Sequence, residues 1–192
     1  MILLSLGSNL SSSFGDRFKN LELATTLIKD KKINLINKSS YYETPSYPNI
    51  KDPKFINIVI EIKTSLKPIN LMSSLIEIEL KLGRKRRDKN SPRTCDIDII
   101  DYNGEIHNLK FNNEELIIPH KNLTSRNFVL YPLCEIVPNW NHPKTKESVE
   151  SLIQKLSDNE RKSILKIKKN WYKLFMLGQK ELIKKVKNYN KF

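Results

Sequence analysis

The stretch Glu79–Asp98, ELKLGRKRRDKNSPRTCDID, joins three different local patterns. Its first residues continue an apolar helical pattern that stops at Gly83, and glycine commonly follows the last turn of a helix. A loop comes next, in which six Lys or Arg side chains accompany a single acid, Asp88. The stretch ends as a strand that carries Asp96 and Asp98. Their side chains point to one face, because side chains alternate along a strand.

This combination of charges predicts a site for a metal ion and a polyphosphate. Arginines concentrated on one loop repel one another unless a polyanion joins them. Two carboxylates on one strand face suit Mg²⁺, which commonly binds through one or two carboxylates together with substrate phosphates. The sequence contains neither G-x-x-x-x-G-K-[ST] nor G-x-G-x-x-G, and its five glycines are dispersed. Arginines and metal would have to replace a glycine-rich phosphate cradle, and ATP chemistry is the first hypothesis.

The composition indicates one domain in a reducing compartment. A chain of 192 residues is long enough for a single core, and no apolar run approaches the ~20 residues of a membrane helix. The N-terminal residues include no basic region, so we do not expect a signal peptide. The two cysteines, Cys95 and Cys134, have no metal-binding spacing. We interpret them as reduced thiols of a cytoplasmic protein that has no membrane partner.

The positive charge is concentrated at the C-terminal end of the chain. Residues 155–192 contain 12 Lys or Arg and 3 Asp or Glu, which gives a local charge of +9 out of the formal +13 of the whole chain. A solvated charged face is the simpler interpretation of this tail. Binding to acidic partners is the other interpretation that the charge leaves open.

The apolar periodicity predicts an α+β fold. Strand-like runs and amphipathic helices follow one another in the order strand, helix, strand, strand, helix, strand. Two such split units give a ferredoxin-like βαββαβ core, which is an antiparallel sheet with both helices on one face. The predicted strands are 2–6, 33–44, 55–64 and 94–102, and the helices begin near Asp16 and Pro68. C-terminal additions are predicted as a hairpin or loop over 105–118, a helix over 147–156, a strand or helix at 164–168 and a helical stripe through Trp171 and Phe175.

Several further motifs accompany the charged stretch in a fixed order. They are Leu6-Gly7-Ser8-Asn9, Ser40-Tyr41-Tyr42-Glu43-Thr44-Pro45, Phe55-Ile56-Asn57, Glu79 with Gly83-Arg84, Pro92-Arg93-Thr94, Ile118-Pro119-His120, and Arg126-Asn127-Phe128-Val129-Leu130 followed by Pro132-Leu133. Each motif alone is weakly specific, but all of them in this order are highly specific. Together they resemble the 6-hydroxymethyl-7,8-dihydropterin pyrophosphokinase family of folate biosynthesis, over roughly residues 1–140.

The resemblance implies transfer of a pyrophosphoryl group from ATP to the pterin hydroxymethyl group, with release of AMP. It also implies two Mg²⁺ ions held by Asp96 and Asp98, with ATP as co-substrate. Catalysis is expected from these aspartates together with Arg84, Arg86 and Arg93, whose planar guanidinium groups suit phosphate oxygens better than lysine does. The positions that match contacts with ATP are Glu79, Arg84, Arg86, Arg93, Ile99, His120 and Arg126.

The same resemblance implies a flat slot for 6-hydroxymethyl-7,8-dihydropterin, the second expected substrate. Phe55 and Phe128 match the two aromatic positions that sandwich the pterin ring, in agreement with the stacking preference of aromatic groups. Asn57 has amide groups suited to the donor and acceptor edge of a pterin. The loop positions that match contacts with this edge are Thr44, Pro45 and Tyr47. Without the resemblance, the two phenylalanines would be interpreted as ordinary core residues.

Two features depart from the family pattern. Asn90-Ser91 stands where many relatives have Trp-Gly before Pro-Arg, and Lys121 replaces an aromatic residue often found after the histidine.

We expect a catalytic domain over 1–140, a basic helical extension over 141–192, and a monomeric enzyme. Because the matched motifs end well before residue 158, we expect deletion of 158–192 to leave catalysis largely intact.

An RRM-like nucleic-acid-binding module with a basic tail is the alternative function. The same order of strands and helices occurs in the RRM fold, and a pI of about 9.6 suits an RNA-binding protein. The sequence contains no aromatic run of the RRM type, however, and Asp96 and Asp98 without metal would repel a phosphate backbone. We therefore expect no specific nucleic acid among the partners.

Overall fold

In the computed structural model, which describes residues 1–31, 33–85, 91–112 and 114–167, helices cover both faces of the main sheet. In chain order the elements are β1 (Ile2–Ser8), α1 (Arg17–Asp30), β2 (Asn34–Lys38), β3 (Tyr42–Thr44), β4 (Phe55–Lys63), α2 (Pro68–Lys81), β5 (Asp96–Tyr102), β6 (His107–Phe111), β7 (Glu114–Ile118), a 3₁₀ turn (Leu123–Ser125), α3 (Asn127–Ile136), α4 (Val149–Gln154), α5 (Asp158–Lys162) and β8 (Leu165–Lys166).

The main sheet has the strand order β5–β1–β4–β3–β8, and β2 also pairs with β4. Its strand pairs are antiparallel, which confirms the predicted mixture of helices and an antiparallel sheet. The single strand predicted over 33–44 is wrong, because the chain divides there into β2 and β3. At the break, the hydroxyl of Ser39 accepts the N–H of Val59 at 3.0 Å, and a side chain thereby takes the place of a backbone acceptor.

Apolar side chains on both faces of the central strands explain why helices cover both sides of the sheet. One core lies beneath α1 and α2, and the strand residues that enter it from β1 and β4 are Ile2, Leu4, Leu6, Ile56, Ile58, Ile60 and Ile62. The second core lies on the opposite face, where Leu3, Val59 and Ile100 pack with residues of α3 and α4. Residues 105–118, for which the sequence left a hairpin or a loop open, form a hairpin in which β6 pairs with β7.

The ends of the first two helices follow the chemistry read from the sequence. Asp16 caps α1, and its carboxylate accepts the N–H of Lys19 at 2.9 Å. Pro68 is the first residue of α2, where its missing N–H is tolerated. Gly83 has a φ of +82°, a left-handed conformation, and the N–H of Arg84 returns to the carbonyl of Glu79 at 3.0 Å. This end of α2 directs Arg84 towards β5.

An extra residue in β5 lies just beyond its two aspartates in the chain. Leu4 pairs with Ile99 and Leu3 pairs with Asp101, so Ile100 has no partner of its own on β1. The buried Asp101 accepts the indole N–H of Trp140 at 2.7 Å, which fixes this irregularity against the second core.

The C-terminal part of the described chain contains short elements. The helix predicted over 147–156 is observed as α4, and residues 158–167 form α5 and β8. The helical stripe predicted through Trp171 and Phe175 lies outside the described residues. Among the residues that are described, none of the helices has the length and apolar character needed to span a bilayer.

His142 is buried in the turn before α4 and holds that turn through its ring. Its Nδ1 accepts the N–H of Lys144 at 3.2 Å and that of Thr145 at 3.1 Å. The ring edge packs on Trp140, with 5.8 Å between ring centroids. Burial lowers the pKa of His142 below its ordinary value, which agrees with a neutral ring whose Nδ1 is an acceptor.

This environment predicts a dependence of stability on pH. Because the pKa of His142 is lower in the folded than in the unfolded chain, the unfolded chain binds the proton first as pH falls below about 6.5. The free energy of unfolding should therefore decrease below that pH. Replacing His142 by Asn keeps an acceptor and removes the titration, so urea unfolding of His142→Asn between roughly pH 5 and 7 should show a flatter dependence. Equal slopes in the two proteins would contradict this account.

Candidate active site

The two aspartates of β5 lie on the sheet face that α3 and α4 cover, at its uncovered end. Ile97 and Ile99 point into the core beneath α1 and α2, so Asp96 and Asp98 point to the other face. Across the pairing with β1, Asp96 faces Gly7 and Asp98 faces Ser5. The small residues of β1 leave the surface beside both carboxylates uncrowded.

Arginines from three different segments compensate the charge of the two carboxylates. Asp96 pairs with Arg84 at 2.5 Å and with Arg93 at 2.6 Å, and Asp98 pairs with Arg126 at 3.3 Å. Burial raises the pKa of Asp96, but the two arginines outweigh burial and leave that pKa below its ordinary value. Burial and the neighbouring charge of Asp96 raise the pKa of Asp98. Asp98 is therefore the less well compensated of the two carboxylates.

Glu79 connects α2 to this cluster from the buried side. Its side chain is only 6% exposed, and Oε1 accepts the N–H of Ile97 at 2.6 Å and a guanidinium N–H of Arg84 at 2.5 Å. Burial raises the pKa of Glu79 to about 7, although Arg84 opposes the rise. Glu79 thus ties the beginning of β5 to the arginine that pairs with Asp96.

His120 follows β7 and lies beside Asp98 and Arg126. Its backbone N–H donates to the carbonyl of Ile100 at 3.3 Å, and its ring Nδ1 accepts the N–H of Asn122 at 3.2 Å. Nε2 lies 3.5 Å from the guanidinium of Arg126. Burial lowers the pKa of His120, and Arg126 adds to this effect while Asp98 opposes it.

Two of the arginines also lie against the two predicted aromatic residues. The guanidinium carbon of Arg93 is 5.1 Å from the ring centroid of Phe55, and that of Arg126 is 5.5 Å from the ring centroid of Phe128. Each aspartate is therefore connected to one aromatic ring through one arginine.

Asn57 belongs to β4 and lies two residues after Phe55, on the same face of that strand. It is buried in β4, and its Nδ2 donates to the hydroxyl of Thr44 at 3.0 Å. A Cβ atom at position 7 would lie 3.1 Å from Oδ1 of Asn57 and 3.5 Å from the ring of Phe55. Gly7 therefore leaves Oδ1 of Asn57 facing a space that any larger residue would occupy.

The structure does not bring all predicted positions to the cluster. Pro45 and Tyr47 are exposed on the loop after β3, and Tyr47 retains 82% of its surface. The side chain of Ile99 lies in the core, so only its backbone could contact a nucleotide. Arg86 lies outside the described residues.

Asn9 connects the two loops that carry predicted substrate residues. It is 2% exposed, and its Oδ1 accepts the N–H of Arg93 at 2.7 Å. Its Nδ2 donates to Ser46 at 3.2 Å and to the carbonyl of Pro53 at 3.1 Å. The sequence signals for this supporting role were the motif Leu6-Gly7-Ser8-Asn9 and the position of the asparagine directly after a buried strand, where side-chain hydrogen bonds to the backbone are common.

Asp96 and Asp98 are the side chains that could hold a divalent cation here. No group of three or more His, Cys, Asp or Glu is suitably placed for a metal within the residues described. Two carboxylates are nevertheless the protein ligands that Mg²⁺ commonly uses when phosphates and water complete its shell. The pair also has the right chemistry, with oxygen donors on one face and a mutual repulsion that a cation would relieve.

The family model for 7,8-dihydro-6-hydroxymethylpterin-pyrophosphokinase (HPPK) matches residues 3–138. A 2-amino-4-hydroxy-6-hydroxymethyldihydropteridine pyrophosphokinase of Bacillus subtilis is 40% identical over 134 residues, which cover 69% of this chain and 75% of that protein. The bifunctional protein FolKE of Lactococcus lactis is 39% identical over 159 residues, or 82% of this chain. The chain spans 42% of that bifunctional relative and 21% of a Pneumocystis carinii folic acid synthesis protein.

Similarity to solved structures supports the same fold. The wild-type HPPK-DHPS of Plasmodium falciparum matches with a TM-score of 0.63 at 18% identity, over 80% of this chain and 44% of that one. Because the family model covers well over half of the chain and a Bacillus subtilis relative is similar along most of its own length, this protein belongs to the 7,8-dihydro-6-hydroxymethylpterin-pyrophosphokinase family.

Proposed function

We propose that this chain transfers a pyrophosphoryl group from ATP to the hydroxymethyl group of 6-hydroxymethyl-7,8-dihydropterin and releases AMP. The observation that carries the proposal is the pair of contact chains Asp96–Arg93–Phe55 and Asp98–Arg126–Phe128. They connect groups suited to metal and phosphate with groups suited to a flat ring. The name of the Bacillus subtilis relative describes this activity. The alternative of an RRM-like nucleic-acid-binding module finds no support in the comparisons.

In this proposal the arginines exchange partners when ATP binds. Arg84, Arg93 and Arg126 pair with carboxylates, and each can turn to a phosphate oxygen. Asp96 and Asp98 then become free to hold two Mg²⁺ ions. Held by these two carboxylates, Mg²⁺ would supply positive charge against the phosphates. Arg86, Glu79, His120 and the backbone of Ile99 are proposed to complete the contacts with ATP, Glu79 by holding Arg84.

The pterin would bind between the rings of Phe55 and Phe128, once Arg93 and Arg126 have turned to phosphates. Aromatic faces attract a flat heteroaromatic ring by stacking. Oδ1 of Asn57 can accept an N–H from the pterin edge, because Nδ2 already donates to Thr44. Pro45 and Tyr47 would approach the same edge from the exposed loop.

The finer features of the fold are also proposals. The sheet order is compatible with a ferredoxin-like βαββαβ core in which β2 and β3 together form the second strand. We propose a catalytic domain over 1–140, an extension over 141–192, and a monomeric cytoplasmic enzyme. Size-exclusion chromatography with light scattering tests the monomer directly.

Production of AMP tests the proposed activity. We expect the purified chain to form AMP from ATP and Mg²⁺ only when 6-hydroxymethyl-7,8-dihydropterin is present. Equal AMP formation with and without the pterin, or formation of ADP in place of AMP, would refute the proposal.

Replacing Asp96 or Asp98 by Asn should impair the chemical step. A single group that stabilises transition-state charge is commonly worth about a hundredfold or more in rate, so we expect turnover to fall at least that far. Glu43→Gln is the matched control. The Glu43 side chain is 21% exposed, as is that of Asp96, and it also pairs with two cations, Arg17 and Lys54.

Turnover and melting temperature should be measured together for these three variants. Melting changes in Asp96→Asn and Asp98→Asn should be comparable to that in Glu43→Gln, whose turnover should stay close to that of the parent chain. Near-normal turnover in either aspartate variant would remove that residue from the mechanism.

Asn9 should couple the binding of the two substrates. Because its side chain joins Arg93 to the loop after β3, we expect ATP to bind first and to strengthen pterin binding. Calorimetry with a non-hydrolysable ATP analogue should show this coupling, which is commonly a factor of roughly 5–150. Asn9→Ala should reduce the factor towards one. Asn49→Ala removes an exposed amide of the same loop and should leave the factor unchanged. Undiminished coupling in Asn9→Ala would contradict the role of Asn9.

A further inference from the structure

Residues 157–167 lie beyond the end of the family match at residue 138, yet they are well structured. Ser157 and Glu160 form a capping box that begins α5, with each side chain bonded to the backbone of the other residue. After α5 the chain extends into β8. We refer to residues 157–167 as the C-terminal brace.

The brace covers the free edge of β3. Lys166 pairs with Tyr42, and Leu165 pairs with Glu43, in an antiparallel arrangement. The next residue, Ile167, donates its N–H to the carbonyl of Tyr41 at 2.8 Å and packs against the first core. β3 thereby has a partner on both sides. Its last residue, Thr44, accepts the hydrogen bond that orients Asn57.

The brace also contacts both ends of α3. At the beginning of the helix, Asn127 is 9% exposed and donates to the carbonyl of Glu160 at 2.6 Å and to the hydroxyl of Ser163 at 3.0 Å. Asn127 is the residue directly before Phe128. Two hydrogen bonds from its amide therefore fix the turn that presents the Phe128 ring.

At the other end of α3, Glu135 pairs with Lys166 of the brace at 3.1 Å. The same carboxylate accepts hydrogen bonds from the backbone and hydroxyl of Ser40 at 3.0 and 2.7 Å and from the hydroxyl of Tyr42 at 2.9 Å. Burial raises the pKa of Glu135, but these hydrogen bonds outweigh burial and leave that pKa below its ordinary value. Glu135 is a charged group that joins α3, β3 and the brace.

We propose that the C-terminal brace is a positioning element for the pterin side of the site. The brace sets the distance between β3, whose Thr44 orients Asn57, and the end of α3 that carries Phe128. The inference rests on the proposed function. It differs from the expectation that residues 158–192 are dispensable, because ten of those residues belong to the brace. The proposal also predicts that changes in the brace weaken the binding of the pterin and leave the binding of ATP unchanged. None of the brace contacts described above involves Arg84, Arg93, Asp96 or Asp98.

Charge reversal at Lys166 tests the proposal in the full-length chain. Lys166→Glu places two carboxylates where Glu135 and Lys166 now pair, which should separate the brace from α3 and β3. Lys155→Glu is the matched control, because it changes the net charge equally and breaks an ion pair with Glu147 elsewhere in the extension. The two lysine side chains are similarly exposed, at 54% and 64%.

Calorimetry should measure the Kd of 6-hydroxymethyl-7,8-dihydropterin in the presence of Mg²⁺ and a non-hydrolysable ATP analogue, and the Kd of the analogue alone. We expect Lys166→Glu to raise the pterin Kd about three- to tenfold, the scale of one lost ordinary hydrogen bond, and to leave the analogue Kd unchanged. Lys155→Glu should change neither. Adding Glu135→Gln to Lys166→Glu removes the repulsion and should recover part of the pterin affinity.

A second variant, Asn127→Asp, tests the other end of α3. It removes the two hydrogen bonds that Asn127 donates and places a carboxylate against the carbonyl of Glu160. This variant should also raise the pterin Kd and leave the Kd of the ATP analogue unchanged. Unchanged pterin affinity in both brace variants, or equal losses for pterin and the ATP analogue, would overturn the brace and leave the proposed function standing. Absence of pterin binding to the unmodified chain would overturn the proposed function and the role of the brace together.

Discussion

Two carboxylates on adjacent same-face positions of one strand must be compensated by cations, and the rest of the site is arranged around this requirement. Asp96 and Asp98 cannot turn away, because Ile97 and Ile99 fix the strand face in the core. Arginines from the end of α2, from the loop before β5 and from the start of α3 satisfy this requirement. Three of the segments that carry the family motifs converge here, because each contributes one arginine that pairs with Asp96 or Asp98.

Two of the arginines have a second set of contacts, with aromatic rings, which connects the carboxylates to the proposed pterin slot. Arg93 lies on Phe55 and Arg126 lies on Phe128, so the groups that compensate the carboxylates also cover the aromatic faces. A polyphosphate offers both arginines a stronger partner, because bidentate guanidinium–phosphate pairs are among the strongest hydrogen bonds in proteins. One event, phosphate binding, would then expose both a metal site and a stacking slot. This gives a physical reason for ATP to bind before the pterin.

The sequence predicted the elements that depend on a local pattern of residues. It did not predict features that depend on hydrogen bonds between side chains distant in the sequence. Alternation of apolar residues predicted β1, β4 and β5, and Asp16, Pro68 and Gly83 marked helix ends correctly. The break at Ser39 was missed, because it depends on a hydroxyl that meets Val59 from another strand. The pattern at 164–168 left strand and helix open, and the short strand β8 forms there. The links made by Asn9 and Glu135 carry no periodic signal. The roles of Phe55, Phe128 and His120 came only from the family resemblance, since each residue is unremarkable in its local sequence.

The central claim is that the arginine-paired aspartates are a latent metal site that opens when phosphates bind. Electron paramagnetic resonance of free Mn²⁺, used in place of Mg²⁺, counts the ions bound to the chain once the ions bound by the analogue alone are subtracted. We expect negligible Mn²⁺ binding to the chain alone. When a non-hydrolysable ATP analogue is present, we expect two ions per chain. Asp96→Asn and Asp98→Asn should each lose one or both of these ions. Unchanged Mn²⁺ binding in the two aspartate variants, or equally tight binding without the analogue, would contradict it.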